Sequence, residues 1–264
     1  MSKKVKVLVL RTAGTNCDQE TAYSFEAFGA KSELVHVKQL LSGQVDLKDY
    51  HILAIPGGFT YGDDIESGRI LANELRLKLG TKLKKFIKDK KLVIGICNGF
   101  QVLVKAGVLP GVGAKSGTGQ NVTLTSNDSN KFEARWVHLK VNGKSVWTKD
   151  LKDVVYFPMA HAEGKFMASR ETLKILKKNE QVAFSYVSED GEAPVYPENP
   201  NGSDEHIAGV TDKTGRVLGL MPHPERHFRF HHHPSWTRLG KKSEYGDGAQ
   251  IFKNGVEYVK KNLL

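Results

Sequence analysis

The chain has 264 residues, of which 39% are hydrophobic and 26% are charged. This length can bury a substantial core, and the composition is that of an ordinary globular protein. No apolar stretch approaches the roughly 20 residues of a membrane-spanning helix. The apolar run at residues 5–10 is short and contains Lys6, which argues against a signal peptide. We therefore expect a cytoplasmic protein that forms one domain over residues 1–264.

The formal net charge of +10 raises the question of nucleic-acid binding. Lysine supplies most of the excess, and the densest lysine run, residues 82–91, continues a periodic apolar pattern. That pattern consists of Leu71, Leu75, Leu79, Leu83 and Ile87. It is typical of an amphipathic helix with a solvated lysine face. We expect neither nucleic acid nor a membrane as partner, and a docking face for an acidic protein stays open.

Apolar strands alternate with helical segments in the first half of the chain. A helix is predicted from Asp18 to Phe28, and the lysine-bearing helix lies between the third and fourth strands. The predicted strands are residues 4–10, 34–37, 51–55 and 92–96. This alternation predicts an α/β fold with an open, mostly parallel, doubly wound sheet. Ligands of such sheets bind beyond the carboxyl ends of the strands.

The pattern changes from about Val122 onward. Short strands without long helices between them are predicted at residues 132–141, 154–157, 182–187 and 206–211, and a helix at residues 255–264 closes the chain. We interpret these segments as antiparallel additions and returning strands of the same domain.

One cysteine lies at a predicted strand-to-helix turn, in the motif Gly95-Ile-Cys97-Asn-Gly99. Small residues on both sides permit the sharp turn of a nucleophile elbow. A helix N-terminus also favours thiolate over thiol. Cys97 is therefore a candidate nucleophile, and the N–H of Asn98 is a candidate oxyanion donor. The alternative is a buried cysteine between two packing glycines.

A histidine follows another apolar strand, in the motif Pro-His223-Pro-Glu225. In an extended segment the two side chains project to one side, so that the carboxylate can orient the imidazole and stabilise its protonated form. His223 is therefore the candidate base. His223, His227 and His231 also have a metal-like spacing, but the prolines prevent a helix that would align them. We predict no metal site.

The motif Pro56-Gly57-Gly58 follows the predicted third strand and should lie at the same sheet edge as Cys97. Two glycines let backbone N–H groups approach a ligand closely, which predicts a second oxyanion donor. A plain turn is the alternative. Cys17 lies in the first strand-to-helix loop, where we expect a small residue packed near the site.

These motifs resemble the class I (triad) glutamine amidotransferases, a family with a flavodoxin-like fold. The resemblance is closer still to the glutaminase subunits of phosphoribosylformylglycinamidine synthases, and it covers essentially the whole chain. The segments that carry it begin at Gly14, Pro56, Gly95, Asn127, Phe132, Pro158, Asn199 and Gly219.

The resemblance implies a role for each matching residue. Cys97 would be the nucleophile, His223 the general base and acid, and Glu225 its orienting partner. The residues implied to bind the oxyanion or the substrate are Gly57, Gly58, Asn98, Gln101 and His161. The chain departs from the family pattern in Asp64-Ile-Glu66 and in His161-Ala-Glu. These departures concern the partner interface and activation rather than the reaction.

The resemblance further implies hydrolysis of L-glutamine to glutamate and ammonia through a thioester on Cys97. The ammonia would pass to a separate synthetase subunit, which uses ATP and Mg to aminate formylglycinamide ribonucleotide in purine biosynthesis. A small third subunit is commonly involved. This chain would need no cofactor, and it contains no Gly-x4-Gly-Lys loop. The alternatives are a glutaminase for another synthetase, and a cysteine hydrolase or stress protein on a similar sheet.

Overall fold

The computed structural model describes residues 4–112, 121–143, 145–240 and 243–264, and these form eleven strands and eight α-helices. The strands are β1 (Lys6–Arg11), β2 (Lys31–His36), β3 (Ile52–Ile55), β4 (Leu92–Ile96), β5 (Val122–Ser126), β6 (Glu133–Val141), β7 (Val154–His161), β8 (Glu163–Ala168), β9 (Val182–Val187), β10 (Ile207–Thr211) and β11 (Val217–Leu220). The helices are α1 (Asp18–Glu26), α2 (Val37–Leu41), α3 (Arg69–Lys78), α4 (Gly80–Lys88), α5 (Asn98–Lys105), α6 (Arg170–Lys178), α7 (Trp236–Leu239) and α8 (Ala249–Asn262). Within these residues, no helix combines the length and the apolar character that a membrane crossing requires.

Nine strands form one sheet in the order β2-β1-β3-β4-β11-β10-β9-β6-β7, and β5 pairs with β8 separately. The four neighbouring pairs from β2 to β11 are parallel. The four pairs from β11 to β7 are antiparallel. Every residue of β3, β4, β10 and β11 is buried, which is typical of strands covered on both faces. The predicted α/β sheet with antiparallel additions is confirmed.

The central strands bring distant parts of the chain to one edge of the sheet. β11, which comes late in the sequence, is parallel to β4 and directly beside it, and β4 is parallel to β3. The carboxyl ends of these three strands therefore meet. Gly57 follows β3, Cys97 follows β4 and His223 follows β11.

The lysine-bearing segment was predicted as one helix, and this was wrong, because it forms two. Leu79, between α3 and α4, has φ −117° and ψ 0°, and Gly80 begins α4. Glycine costs about 1 kcal/mol relative to alanine inside a helix, so the break occurs at a weak point. The break changes which residues reach the core: Leu79 and Leu83 stay buried, but Phe86 rather than Ile87 is buried further on.

Four elements of the second half were not predicted, namely β5, β8, α6 and α7. The helix α6 begins after Ser169, whose hydroxyl accepts a hydrogen bond from the N–H of Thr172 at 3.2 Å and so caps it. Only Thr172 and Leu176 of its nine residues are buried. The last helix, α8, begins at Ala249, six residues before its predicted start.

Candidate active site

Cys97 occupies a strained turn between β4 and α5, with φ 51° and ψ −109°. Its N–H donates to the carbonyl of Leu220 in β11 at 2.8 Å, and its carbonyl accepts from Phe100 and Gln101 at 2.9 and 3.1 Å. A positive φ in a residue other than glycine persists when such contacts over-determine it. The side chain is 5% exposed, and its Sγ lies 3.7 Å from the carbonyl of Ala160. The turn therefore holds the sulfur at the positive end of α5.

His223 follows β11 and is hydrogen-bonded to Glu225. Its Nδ1 donates to Oε1 of Glu225 at 2.6 Å, and both side chains are buried. The contact was predicted from an extended segment, but Pro224–His227 is a 3-10 turn. In the neutral ring the proton on Nδ1 leaves Nε2 as the acceptor, and Nε2 forms no hydrogen bond within the described residues. This is the oriented imidazole that a general base requires.

The charges around His223 favour its protonated form. Burial opposes the charged imidazolium, but the negative charges of Glu225 and Cys97 and the contact with the Cys17 thiol outweigh it. They hold the pKa of His223 well above its usual value. An imidazolium beside the thiol group is the partner that stabilises a thiolate.

Gly57 lies where the proposed nucleophile and base meet. A Cβ on this residue would lie 2.7 Å from Cε1 of His223, 3.2 Å from Sγ of Cys17 and 3.4 Å from Cβ of Cys97. The first distance is shorter than side chains tolerate, so only glycine lets the imidazole come this close. The structure thus brings together the predicted Gly57, Cys97 and His223.

Gly58 pairs with Thr15 in an isolated antiparallel bridge. The two backbone hydrogen bonds of this bridge are formed by the residues that flank Gly58 and Thr15, not by these two residues themselves, and they measure 2.8 and 3.4 Å. In that pattern the N–H of Gly58 itself points away from Thr15. The backbone geometry is therefore compatible with the predicted oxyanion donor at Gly58.

The side chains of Asn98 and Gln101 are engaged within the protein. Oδ1 of Asn98 accepts from the N–H and the hydroxyl of Thr60 at 3.3 and 2.7 Å, and its Nδ2 donates to Asp63 at 3.0 Å and to Gln101 at 2.9 Å. Nε2 of Gln101 donates to the carbonyl of Glu163. Gln101 thereby fastens α5 to β8. The substrate contact implied for it stays a prediction.

His161 ends β7 as a buried, neutral acceptor. Nδ2 of Asn127 donates to the carbonyls of Lys131 and His161 at 3.0 and 2.8 Å, so Oδ1 of Asn127 faces Nδ1 of His161 at 3.1 Å. Nδ1 therefore carries the proton. Nε2 carries a lone pair that accepts no hydrogen bond in the described part of the chain. Burial, assisted by the charge of His223, lowers the pKa of His161 to about 3.

Cys17 packs beside the site, as its loop position led us to expect, but its polar partners were not predicted. Its Sγ lies 3.9 Å from Nδ1 of His223 and accepts from the guanidinium of Arg226 at 3.0 Å. Burial raises the pKa of the Cys17 thiol, which keeps it protonated. The position of Arg226 directly after Glu225 was a sequence signal for its contact with Cys17.

Three donor atoms at the site are close enough to hold a metal ion. One ligand atom from each of Cys17, His223 and Glu225 lies within 4.8 Å of the others. The guanidinium of Arg226 at the sulfur opposes a second cation there. The alternative set of His223, His227 and His231 forms no such cluster among the residues that the structure describes.

Residues 4–259 match the family model of the CobB/CobQ-like glutamine amidotransferase domain. The chain belongs to this family. This amidotransferase is 49% identical over 260 residues to phosphoribosylformylglycinamidine synthase subunit PurQ of Dehalococcoides mccartyi, with 97% of this chain and 98% of the relative covered. It is 42% identical to subunit PurQ of Archaeoglobus fulgidus, with 98% of both chains covered.

A solved structure supports the same relationship. In the structure of PurLQS from Thermotoga maritima, one chain aligns with this amidotransferase at a TM-score of 0.71 and 30% identity, with 97% of this chain and 100% of that chain covered. The family and the fold that the motifs predicted are therefore confirmed.

Proposed function

We propose that this amidotransferase hydrolyses L-glutamine to glutamate and ammonia and supplies the ammonia to the synthetase subunit of phosphoribosylformylglycinamidine synthase. The observation that carries the proposal is the meeting of Cys97, His223 and Glu225 at one edge of the sheet, with Gly57 leaving room for the imidazole. The similarity to subunits named PurQ over nearly the whole chain supports this choice of synthetase.

The reaction begins when the thiolate of Cys97 attacks the side-chain amide carbon of glutamine. The N–H groups of Gly58 and Asn98 stabilise the negative oxygen of the tetrahedral intermediate. The imidazolium of His223 gives its proton to the departing nitrogen as the C–N bond breaks, which releases ammonia and leaves a γ-glutamyl thioester. A water molecule that loses its proton to His223 then hydrolyses the thioester to glutamate.

Three further side chains assist in this scheme. Glu225 holds the proton of Nδ1 and so directs Nε2 of His223 toward the reaction. His161 would accept an N–H group of the bound glutamine, because its Nε2 is a buried lone pair that stays unprotonated. Gln101 shapes the wall beside the glutamine site through Glu163.

The proposal assigns ATP and Mg to the synthetase subunit, includes a small third subunit, and places the complex in the cytoplasm. The relationship to a chain in the Thermotoga maritima PurLQS structure supports an assembly of this kind. On this reading the chain carries out the glutaminase half of the reaction without a cofactor of its own.

The test uses the complex with its synthetase partner and measures glutamate release and the amination of formylglycinamide ribonucleotide. The nitrogen source is first glutamine and then ammonium chloride. We expect Cys97→Ala to reduce glutamine-dependent activity by about 10³-fold or more while amination from ammonium chloride persists. An electrophilic glutamine analogue should label Cys97 in the wild type and in the matched variant Cys17→Ala. Glutamine hydrolysis that survives Cys97→Ala, or a label on Cys17, would contradict the proposal.

A further inference from the structure

The side-chain amide of Asn98 joins the two backbone segments that are proposed to bind the oxyanion. Its oxygen accepts the N–H and the hydroxyl of Thr60 at 3.3 and 2.7 Å, and its nitrogen donates to Asp63 and Gln101 at 3.0 and 2.9 Å. These four hydrogen bonds use the full capacity of an amide. Asn98 is 1% exposed and Thr60 is 3% exposed, so water does not compete for these contacts.

The two ends of this connection lie close to the proposed donors in sequence. Thr60 is two residues beyond Gly58, and Asn98 is the residue that follows Cys97. The single residue between Gly58 and Thr60 is Phe59, whose N–H is fixed to a carbonyl of the neighbouring loop at 2.8 Å. The contact between Thr60 and Asn98 therefore sets the separation of the two donating N–H groups.

Asp63 keeps the far side of this loop in place. Its Oδ1 accepts from the N–H of Gly68 at 3.3 Å as well as from Asn98, and its Oδ2 accepts from the hydroxyl of Ser67 at 3.0 Å. Asp63 itself has a φ of 55°, and Tyr61 has a φ of 57°. Non-glycine residues keep such angles when surrounding contacts over-determine them, and Asp63 supplies those contacts here.

We infer that Thr60 and Asp63 are positioning residues, which act through the Asn98 side chain to fix the distance between the N–H groups of Gly58 and Asn98. The inference rests on the proposed function, because it requires an oxyanion to form at Cys97. Neither residue needs to touch the substrate. Donors that are held in place before the reaction lower its barrier, and a displacement of about 1 Å can cost about 10²-fold in rate.

The first pair of variants tests the hydroxyl of Thr60. Thr60→Val removes the hydroxyl and keeps the shape, whereas Thr60→Ser keeps the hydroxyl. In the complex with the synthetase partner we expect Thr60→Val to lower kcat for glutamine about 10- to 100-fold with little change in KM. Thr60→Ser should restore kcat to within a few-fold of wild type. A second pair repeats the test at Asp63, where Asp63→Ala should lower kcat and the near-isosteric Asp63→Asn should restore it.

A chemical comparison separates positioning of the oxyanion from general damage to the site. Iodoacetamide alkylates the sulfur by displacement of iodide and forms no oxyanion, whereas thioester formation from glutamine passes through one. We expect Thr60→Val and Asp63→Ala to alkylate at the wild-type rate within about twofold while single-turnover thioester formation slows about 10- to 100-fold.

The possible results give distinct answers. Equal slowing of alkylation and thioester formation, or an unchanged kcat in Thr60→Val and Asp63→Ala, would overturn the inference. A wild-type complex that forms no thioester on Cys97 would overturn the proposed function, and the inference with it. In that case alkylation alone would be measurable, so the two failures are told apart.

Discussion

Among the groups that favour protonation of His223, the carboxylate of Glu225 contributes most. Its Oε1 holds Nδ1 of His223 at 2.6 Å, and its Oε2 is buried and forms no hydrogen bond with the rest of the described chain. The imidazolium is therefore its main stabilising neighbour. Burial alone would lower the pKa of His223, and the charge of Glu225 is the largest of the contributions that reverse the direction of the shift.

Replacement of this carboxylate by an amide should change how stability depends on pH. In the folded wild type the pKa of His223 lies above that of an unfolded histidine, about 6.5. The protonated imidazole therefore stabilises the fold below that pH, and the contribution is lost as the pH rises through the folded pKa. In Glu225→Gln, burial becomes the dominant effect on the pKa of His223, so this contribution of the imidazolium to stability is lost. We expect a larger loss in Tm at about pH 6 than at about pH 9.

The matched control is Glu257→Gln, because Glu257 is exposed and its partner Lys253 lies 3.8 Å away on the same helix. Thermal denaturation of the three proteins at both pH values checks the prediction. Equal losses of Tm at the two pH values in Glu225→Gln would argue against a raised pKa at His223.

The sequence motifs were sufficient to predict that the main residues of the site lie close together, but not to predict their hydrogen bonds. Cys97, His223 and Gly57 each follow a strand of the parallel sheet, and the topological rule for such sheets places them at one edge. The proton position on His161 depends on a side chain 34 residues away, and the contact of Arg226 with Cys17 spans 209 residues. Contacts of this kind depend on tertiary packing, which no local pattern encodes.

The elements themselves were predictable where burial imposes a clear period. Both β4 and β9 have the predicted bounds, residues 92–96 and 182–187, because each is a short apolar run that a single small residue interrupts. The division between α3 and α4 was not predictable from the apolar period, since Leu79 is buried and fits a continuous helix. Gly80 lowers the cost of the break, because glycine is about 1 kcal/mol less favourable than alanine inside a helix.

Two helical glycines should respond in opposite ways to an added methyl group. A Cβ on Gly99, in the first turn of α5, would lie 1.9 Å from the carbonyl oxygen of Ile55, so α5 would have to move away from β3. We expect Gly99→Ala to destabilise the fold by about 1–3 kcal/mol or more, and to slow glutaminase activity by displacing Cys97. Urea denaturation and the coupled assay measure the two effects.

The control for this substitution is Gly80→Ala. Gly80 begins α4, and an added Cβ would meet no atom closer than 3.9 Å. Alanine there should be neutral or should stabilise the fold by about 0.5–1 kcal/mol, since it restricts the unfolded chain without a clash. A Gly99→Ala protein as stable as Gly80→Ala would contradict the close approach of α5 to β3.

At the scale of the whole molecule, the two halves of the chain interlock. β11 inserts between β4 of the first half and β10 of the second. The last helix, α8, packs against α1, with the rings of Phe25 and Phe252 5.0 Å apart. Asn254 of α8 donates to the carbonyl of Trp147 at 3.0 Å. A first half on its own would therefore lack both a neighbour for β4 and the cover for α1.

This interlocking predicts that residues 1–264 unfold as one unit. All three tryptophans lie in the second half of the chain, whereas far-ultraviolet circular dichroism reports on helices of both halves. Coincident urea transitions by fluorescence and circular dichroism are therefore expected. Asn254→Ala removes the amide that satisfies the buried carbonyl of Trp147 and also binds the carbonyl of Lys149, and we expect a cost of about 1–3 kcal/mol for the buried group left unpaired. If the chain unfolds as a single unit, Asn254→Ala lowers the urea midpoints measured by fluorescence and by circular dichroism equally. A lower midpoint by fluorescence alone would mean that the halves unfold separately.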